Sequence, residues 1–208
     1  MKALNLKSQA GFNLPEMLVA TIIAGILGML AYSVFGNSSS GVRAKTLYDA
    51  AQKITTSWTT IVQQTGVPVS VASTPLVAAG NTALDAVMVG NNPAGLILSN
   101  YATTMSLIGI KPMSNMAVIT TTPAVGTAGA YTIDGFPVTL TSSVVNGQRL
   151  LNVVFASVPA DVVQAIYTSH ANVAGTPFDS TTAVSSGHVQ YTAAATDGTM
   201  TLTLQFNP

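Results

Sequence analysis

A chain of 208 residues, of which 48% are apolar, has enough material for one globular domain and one further element. Only 7% of its residues are charged and its formal net charge is zero, whereas soluble domains have about 25% charged residues. A surface with so few charges suits packing against copies of the same chain. No cluster of lysine and arginine is present, which argues against direct, sequence-specific binding of nucleic acid. No cysteine is present either, which excludes disulfides, thiolate nucleophiles and cysteine-ligated zinc.

A long apolar run near the N-terminus predicts a membrane-spanning helix. The nineteen residues 17–35 follow a leader that carries Lys2 and Lys7 and no acid, and no charge lies between Glu16 and Arg43. At about 1.5 Å per residue the run rises roughly 28 Å, close to the roughly 30 Å hydrocarbon thickness of a bilayer. The basic flank predicts that the N-terminus stays in the cytoplasm and that the remainder lies outside. A conventional cleaved signal has a shorter apolar part, of roughly 7 to 15 residues, and small residues at 31–33 offer signal peptidase only a poor site.

The only glutamate of the chain, Glu16, lies at the edge of this apolar run. A charge at the bilayer centre costs roughly 2.5 to 3.5 kcal/mol and less near an interface, so the carboxylate needs a partner or a function. Its position alone leaves two interpretations open. It marks the end of the span at the headgroups, or it has a functional role.

The residues before this glutamate, GFNLPE at 11–16, resemble the class III signal of type IV prepilins. In that family a short basic leader ends in glycine, phenylalanine often follows, and a glutamate is the fifth residue of the mature chain. The resemblance implies cleavage between Gly11 and Phe12 by a prepilin peptidase, which also methylates the new amine of Phe12. Pro15 departs from the family, which more often has an aliphatic residue there. Proline is nevertheless tolerated in the first turn of a helix.

The resemblance also implies how the subunits assemble. The apolar helix stays on the mature chain as the assembly element, and Glu16 pairs with the Phe12 amine of a neighbouring subunit in the filament. Gly25 and Gly28 lie inside the run, where related filaments often loosen their stem helix. The alternative for both glycines is close packing between helices, which is common for small residues in membranes.

A second, amphipathic helix is predicted after a break. The stretch 36–41, GNSSSG, favours a loop or hinge. From Arg43 onward, apolar residues recur three and four positions apart at Ala44, Leu47, Ala51, Ile54, Trp58, Ile61 and Val62. Gly66 and Pro68 end the pattern. Because Trp58 sits at core spacing, packing is favoured over a role as a ligand platform.

The rest of the chain predicts two further helices, a group of strands and one late helix. The helices are expected at 81–89, 94–109 and 162–169, the last opened by Pro159. The strands are expected at 116–121, 130–133, 137–142, 149–157, 188–192 and 199–206. Asn146-Gly147 predicts a tight hairpin, and Asp197-Gly198 the turn of a closing hairpin.

These elements predict an α+β fold in which a long N-terminal helix, half apolar and transmembrane and half amphipathic, packs on an antiparallel β-sheet globular domain. The expected divisions are the leader 1–11, the assembly helix 12–35, the hinge and amphipathic helix 36–65, and the head domain 66–208. The late helix before the final strands resembles type IVb pilins, including thin conjugative pili. The short leader, Phe12 and the lack of a cysteine pair are more typical of other members, which leaves the subclass open.

No phosphate-binding loop, catalytic triad or carboxylate pair is evident in the sequence, so we expect no enzymatic activity, no cofactor and no metal. His170, Asp179 and His188 are the best candidates for metal ligands, and they lie on loop-like segments that make a site a poor hypothesis. Asn37 heads a glycosylation sequon, a pattern that also arises often by chance.

The sequence therefore predicts the major pilin of a type IV pilus, a homopolymer that serves adhesion, motility, DNA transfer or conjugation. Its expected partners are the prepilin peptidase, the pilus assembly machinery and the inner membrane, from which the chain passes into an extracellular filament. Three alternatives remain: a minor pilin or type II secretion pseudopilin, a membrane-anchored binding protein that does not polymerise, and an extracytoplasmic enzyme carried on this stem.

Overall fold

The computed structural model describes residues 14–71, 74–90, 95–109, 113, 116–171 and 177–208, with side chains from residue 39 onward. The chain divides into two compact units whose boundary lies between Ser39 and Ser40. The described part of the first unit consists of the N-terminal portion of helix α1 (Leu14–Thr65). The second unit contains the remaining helices and all the described strands.

The second unit is an α+β domain, as the sequence predicts. Three shorter helices and six strands follow α1 in the order α2 (Ala83–Val89), α3 (Ser99–Ile108), β1 (Ala117–Thr121), β2 (Ala130–Ile133), β3 (Phe136–Val145), β4 (Gln148–Pro159), α4 (Ala160–His170), β5 (Val189–Tyr191) and β6 (Thr199–Phe206). The strands form one sheet with the order β1-β2-β3-β4-β6-β5. Every neighbouring pair in that sheet is antiparallel.

The second half of α1 buries the stripe of residues that the spacing predicts. Ala44, Leu47, Ala51, Ile54, Trp58 and Ile61 are all buried, and Val62 packs at the edge of the same core. The helix ends at Thr65, before the predicted stop at Gly66. This part of the prediction is confirmed.

The loop predicted at 36–41 is wrong, because these residues are helical within α1. A glycine in a helix costs only about 1 kcal/mol relative to alanine. Once a helix has formed on either side, each added residue contributes a hydrogen bond without a new nucleation step. Six weak helix formers therefore do not interrupt a helix that strong formers favour on both flanks.

One face of the sheet supplies the other half of the core. Buried residues alternate along β3 and β6, as expected for strands with one face covered. Cross-strand neighbours bring these residues together, as in the pair of Leu140 with Val153 and the pair of Val153 with Leu204. The core is thus built from the stripe of α1, from this face of the sheet and from buried residues of α2 and α4.

The turns follow the predicted chemistry. Asn146 and Gly147 both have positive φ, 50° and 78°, between Val145 and Gln148 of the β3–β4 hairpin. β5 and β6 pair in an antiparallel manner, which confirms the closing hairpin, although β6 also pairs with β4. β4 runs two residues beyond its predicted end, through an irregularity that includes Ser157 at φ 57°.

Helix α3 begins five residues later than predicted. Ile97 forms an isolated antiparallel bridge with Val77. Leu98 donates a backbone hydrogen bond to Leu76, and Ala78 donates one to Leu96. These contacts with a distant segment hold residues 96–98 extended, so tertiary pairing overrides the local preference for helix.

Candidate functional site

The residues predicted for processing and assembly lie at the N-terminus. Gly11 and Phe12 are outside the described residues. Glu16, Gly25 and Gly28 lie on α1, in the stretch where the backbone but not the side chains is described. The pairing of Glu16 with Phe12 and the loosening of the helix at the glycines therefore remain predictions. Within the stretches whose side chains are described, no helix combines enough length with enough apolar content to cross a membrane.

The first buried turns of the described α1 are fixed to the tip of the β2–β3 hairpin. Nε of Arg43 lies 2.9 Å from Oδ2 of Asp134, and its guanidinium carbon lies 5.2 Å from the ring centroid of Phe136. Asp134 has φ 52° in the two-residue turn, which turns its carboxylate toward the helix. Because both side chains are partly exposed, this ion pair contributes at most about 1 kcal/mol. Its main effect is to position the hairpin on the helix.

Trp58 lies further along the same helix and is fully buried. Its indole Nε1 donates a hydrogen bond to the backbone carbonyl of Val69 at 3.1 Å. A buried ring with its only donor satisfied has no face left for a ligand. The packing role predicted for Trp58 is confirmed.

Both histidines of the chain lie against Tyr48 of α1. The ring of His170, the last residue of α4, stacks on the Tyr48 ring with centroids 3.7 Å apart and an interplanar angle of 3°. Nε2 of His188 lies 3.2 Å from the Tyr48 hydroxyl. Phe206 of β6 closes the group, with its centroid 5.0 Å from that of His188 and 6.0 Å from that of Tyr48. We call these four residues the Tyr48 cluster.

The sequence places His170 and His188 among candidate metal ligands together with Asp179, but the structure gives Asp179 a different role. Its carboxylate accepts hydrogen bonds from Thr181 and Thr182 at 2.7–2.9 Å, and these bonds lower the pKa of Asp179. Among the described residues, no group of three or more histidine, aspartate or glutamate side chains is arranged to hold a metal ion.

The carboxylate of Asp85 is a buried acid to which the sequence assigns no functional role. Asp85 is 0% exposed. Its Oδ1 accepts hydrogen bonds from the Tyr131 hydroxyl at 2.6 Å and from the Gly129 amide at 2.9 Å. Its Oδ2 accepts from the Thr82 amide at 2.7 Å and from the Thr82 hydroxyl at 3.1 Å. The arrangement saturates the carboxylate with donors and leaves no direction open for a ligand.

Part of this network has a signal in the sequence. Thr82 and Asp85 form a reciprocal capping box at the start of α2, and the pattern of a threonine followed three residues later by an acid is the ordinary mark of such a box. The partners Gly129 and Tyr131 have no such signal, because they lie more than forty positions away.

Open grooves run along α1 on the described surface. One of them has a volume of about 530 Å³. It is lined by threonine and glutamine side chains of α1 and by the last residues of the chain: Gln52, Thr55, Thr56, Thr59, Thr60, Gln63, Phe206, Asn207 and Pro208. None of these side chains titrates near neutral pH. The lining therefore supplies no general acid or base for proton transfer at neutral pH.

Several large apolar side chains are exposed on the head domain. The most exposed is Leu107 of α3, and strand β1, at one edge of the sheet, presents Val118 and Ile119. Val144 and Val145 are exposed beside the β3–β4 turn. Apolar side chains on an edge strand and a surface with few charges are features that favour contact with another chain.

Comparison of the chain with protein-family models, with curated proteins and with solved structures found no match.

Proposed function

We propose that this protein is the major structural subunit of a type IV pilus. The observation that carries the proposal is the order of residues at the N-terminus. A basic leader ends in Gly11, Phe12 follows, Glu16 stands at the fifth mature position, and the chain then has no charge until Arg43. Each feature is common by itself, but the four together are specific to class III signals. The subunit is inserted in the inner membrane, cut between Gly11 and Phe12, and polymerised through residues 12–35.

Electrostatics explain how Glu16 and the Phe12 amine drive docking. A carboxylate at the edge of a membrane is poorly solvated, and the new amine of Phe12 on the preceding subunit offers a positive partner. Two unit charges about 4 Å apart attract by about 4 kcal/mol at an effective dielectric of about 20. Desolvation of both ions reduces the net gain, so the pair contributes more to axial register than to overall stability.

The fold is compatible with a filament subunit and supports the proposal. The buried stripe of α1 holds the second half of this helix on the head domain. The first half of the same helix carries the apolar run that we assign to assembly. The polar groove along α1 and the exposed apolar side chains of the head leave surfaces on which copies of the chain pack. The low charge of the whole chain lowers the repulsion between neighbouring copies.

The proposal predicts that Glu16→Gln abolishes surface filaments while the protein remains in the membrane and is still cut. Neutralising the side chain removes the ionic attraction to the Phe12 amine but keeps its size. Filaments are counted by electron microscopy of whole cells, and the membrane pool is measured by immunoblot. Asp49→Asn is the matched control on the same helix. Asp49 is bonded to Lys45 on the helix surface at 2.8 Å, and its neutralisation is expected to leave filament numbers unchanged.

The same experiment separates the other candidate functions. If Glu16→Gln leaves both location and function intact, the protein is a membrane-anchored binding protein rather than a pilin. If Glu16→Gln abolishes filaments but the wild-type chain is only a scarce component of sheared filaments, the protein is a minor pilin or a pseudopilin of type II secretion.

A further inference from the structure

The two histidines of this chain converge on one tyrosine from two different segments. His170 ends α4, and His188 immediately precedes β5. Both contact Tyr48 of α1, and His188 lies 140 residues after Tyr48 in the sequence. The Tyr48 cluster, which includes Phe206 of β6, joins α1 to the last three elements of the chain, α4, β5 and β6.

The surroundings of His170 favour the neutral imidazole. Partial burial lowers the pKa of His170, and the neighbouring His188 and the Lys45 ammonium lower that pKa further. Asp49 acts in the opposite direction, as does the C-terminus of α4, where a positive charge is favoured. The Asp49 carboxylate is, however, already bonded to Lys45. The net direction is downward.

We propose that Tyr48, His170 and His188 form a proton-sensitive clasp that holds α4 and the β5–β6 hairpin on α1 when the His170 imidazole is neutral and that loosens on acidification.

The contacts of the clasp depend on the charge of His170. The neutral His170 ring stacks on the face of Tyr48, and Nε2 of His188 lies 3.2 Å from the hydroxyl of the same tyrosine. Protonation of His170 places a positive charge beside His188 and the Lys45 ammonium, and both neighbours disfavour that charge. The stacked ring of Tyr48 attracts a cation and offsets part of this repulsion.

The sign of the pH dependence follows from the direction of the pKa shift. Because the pKa of His170 in the folded chain lies below its ordinary value of 6.5, the unfolded state binds more protons as the pH falls past that value. The stabilisation by the clasp is therefore complete above the ordinary pKa and is lost as the pH falls through the pKa of the folded state. This inference concerns the head domain and does not depend on whether the chain forms filaments.

Amide hydrogen exchange of the full chain in detergent micelles tests the clasp. Protection factors, corrected for the intrinsic pH dependence of exchange, are compared at about pH 7.5 and about pH 5, the interval in which histidine titrates. We expect protection of the α4 and β5 amides to fall by about threefold or more at the lower pH, while that of β3 stays constant. In the variant carrying His170→Phe and His188→Gln, which keeps a ring on Tyr48 and a polar partner for its hydroxyl, the change with pH should disappear.

Unchanged protection of α4 in the wild type, or a full pH response in the double variant, overturns the proposal. If the double variant does not fold, proton NMR titration of the wild-type histidines decides. The clasp requires the midpoint of His170 to lie below 6.5 and the Tyr48 ring resonances to shift with it. A titration of His170 that leaves the Tyr48 ring resonances unchanged contradicts the proposal.

Discussion

At the scale of single residues, the Asp85 network is the most demanding feature of the head domain. A buried carboxylate is tolerated only where donors replace water, and Asp85 has such donors on both oxygens. Burial and the hydrogen bond to Asp85 raise the pKa of the Tyr131 hydroxyl above its ordinary range. Tyr131 is therefore a protonated donor at neutral pH.

Replacing Tyr131 with phenylalanine removes this donor and little volume. Hydrogen bonds to charged groups contribute about 1.5 to 3 kcal/mol, so we expect Tyr131→Phe to lower the free energy of unfolding by about that amount in urea denaturation. Tyr101→Phe is the control, because no hydrogen bond of the Tyr101 hydroxyl occurs among the described residues. Equal stability of the two variants would show that the Tyr131 bond is energetically unimportant.

The side-chain contacts of single residues were the feature least predictable from the sequence. The spacing of apolar residues placed Trp58 in the core correctly, because helical periodicity is a local property. Gly129 lies 44 positions from Asp85 and His188 lies 140 positions from Tyr48, and no local pattern encodes such pairs. The sequence grouped His170 and His188 only as weak candidates for metal ligands together with Asp179, and nothing in it indicated that both contact Tyr48.

At the scale of elements, two loops approach each other closely beside α2. The side chain of Asn81 donates to the carbonyls of Ala124 and Thr127 at 2.8–2.9 Å and accepts from the Gly126 amide at 3.0 Å. The tight loop 124–127 thus closes around one amide side chain. Gly80, with φ 89°, lies so near that a Cβ at this position would be 2.5 Å from the carbonyl oxygen of Gly126.

Gly80→Ala and Gly147→Ala separate backbone strain from crowding. Both glycines have positive φ, but a Cβ at Gly147 would meet no atom within 4 Å. The left-handed conformation costs a non-glycine residue about 1 to 2 kcal/mol, which is the loss expected for Gly147→Ala. Gly80→Ala should lose about 1 to 3 kcal/mol more, since backbone atoms must move. Thermal unfolding of the two variants measures the difference in stability. Equal losses of stability would mean that loop 124–127 moves to accommodate the added Cβ at no cost.

Element positions were predictable where the signal was local. Alternation of apolar residues and the Asn146-Gly147 turn located β3 and β4 within a few residues. Two errors had physical causes beyond local preference. The helix continued through 36–41 because propagation outweighed weak formers, and α3 started late because Ile97 was held by Val77.

At the scale of the whole molecule, the structure describes an α+β head domain with few charges. The proposed function rests on the N-terminal signal. The fold class followed from the sequence because the order of helix and strand patterns limits the possible architectures. Gly11 and Phe12, at the proposed processing site, lie outside the described residues. A chemical measurement on the mature chain must therefore decide the central claim.

That measurement is the intact mass and N-terminal residue of the protein recovered from sheared cell surfaces. The account predicts an abundant chain that begins at Phe12 with a methylated amine. A chain that stays with the cells and retains Met1, or one that begins near Val34, would contradict it.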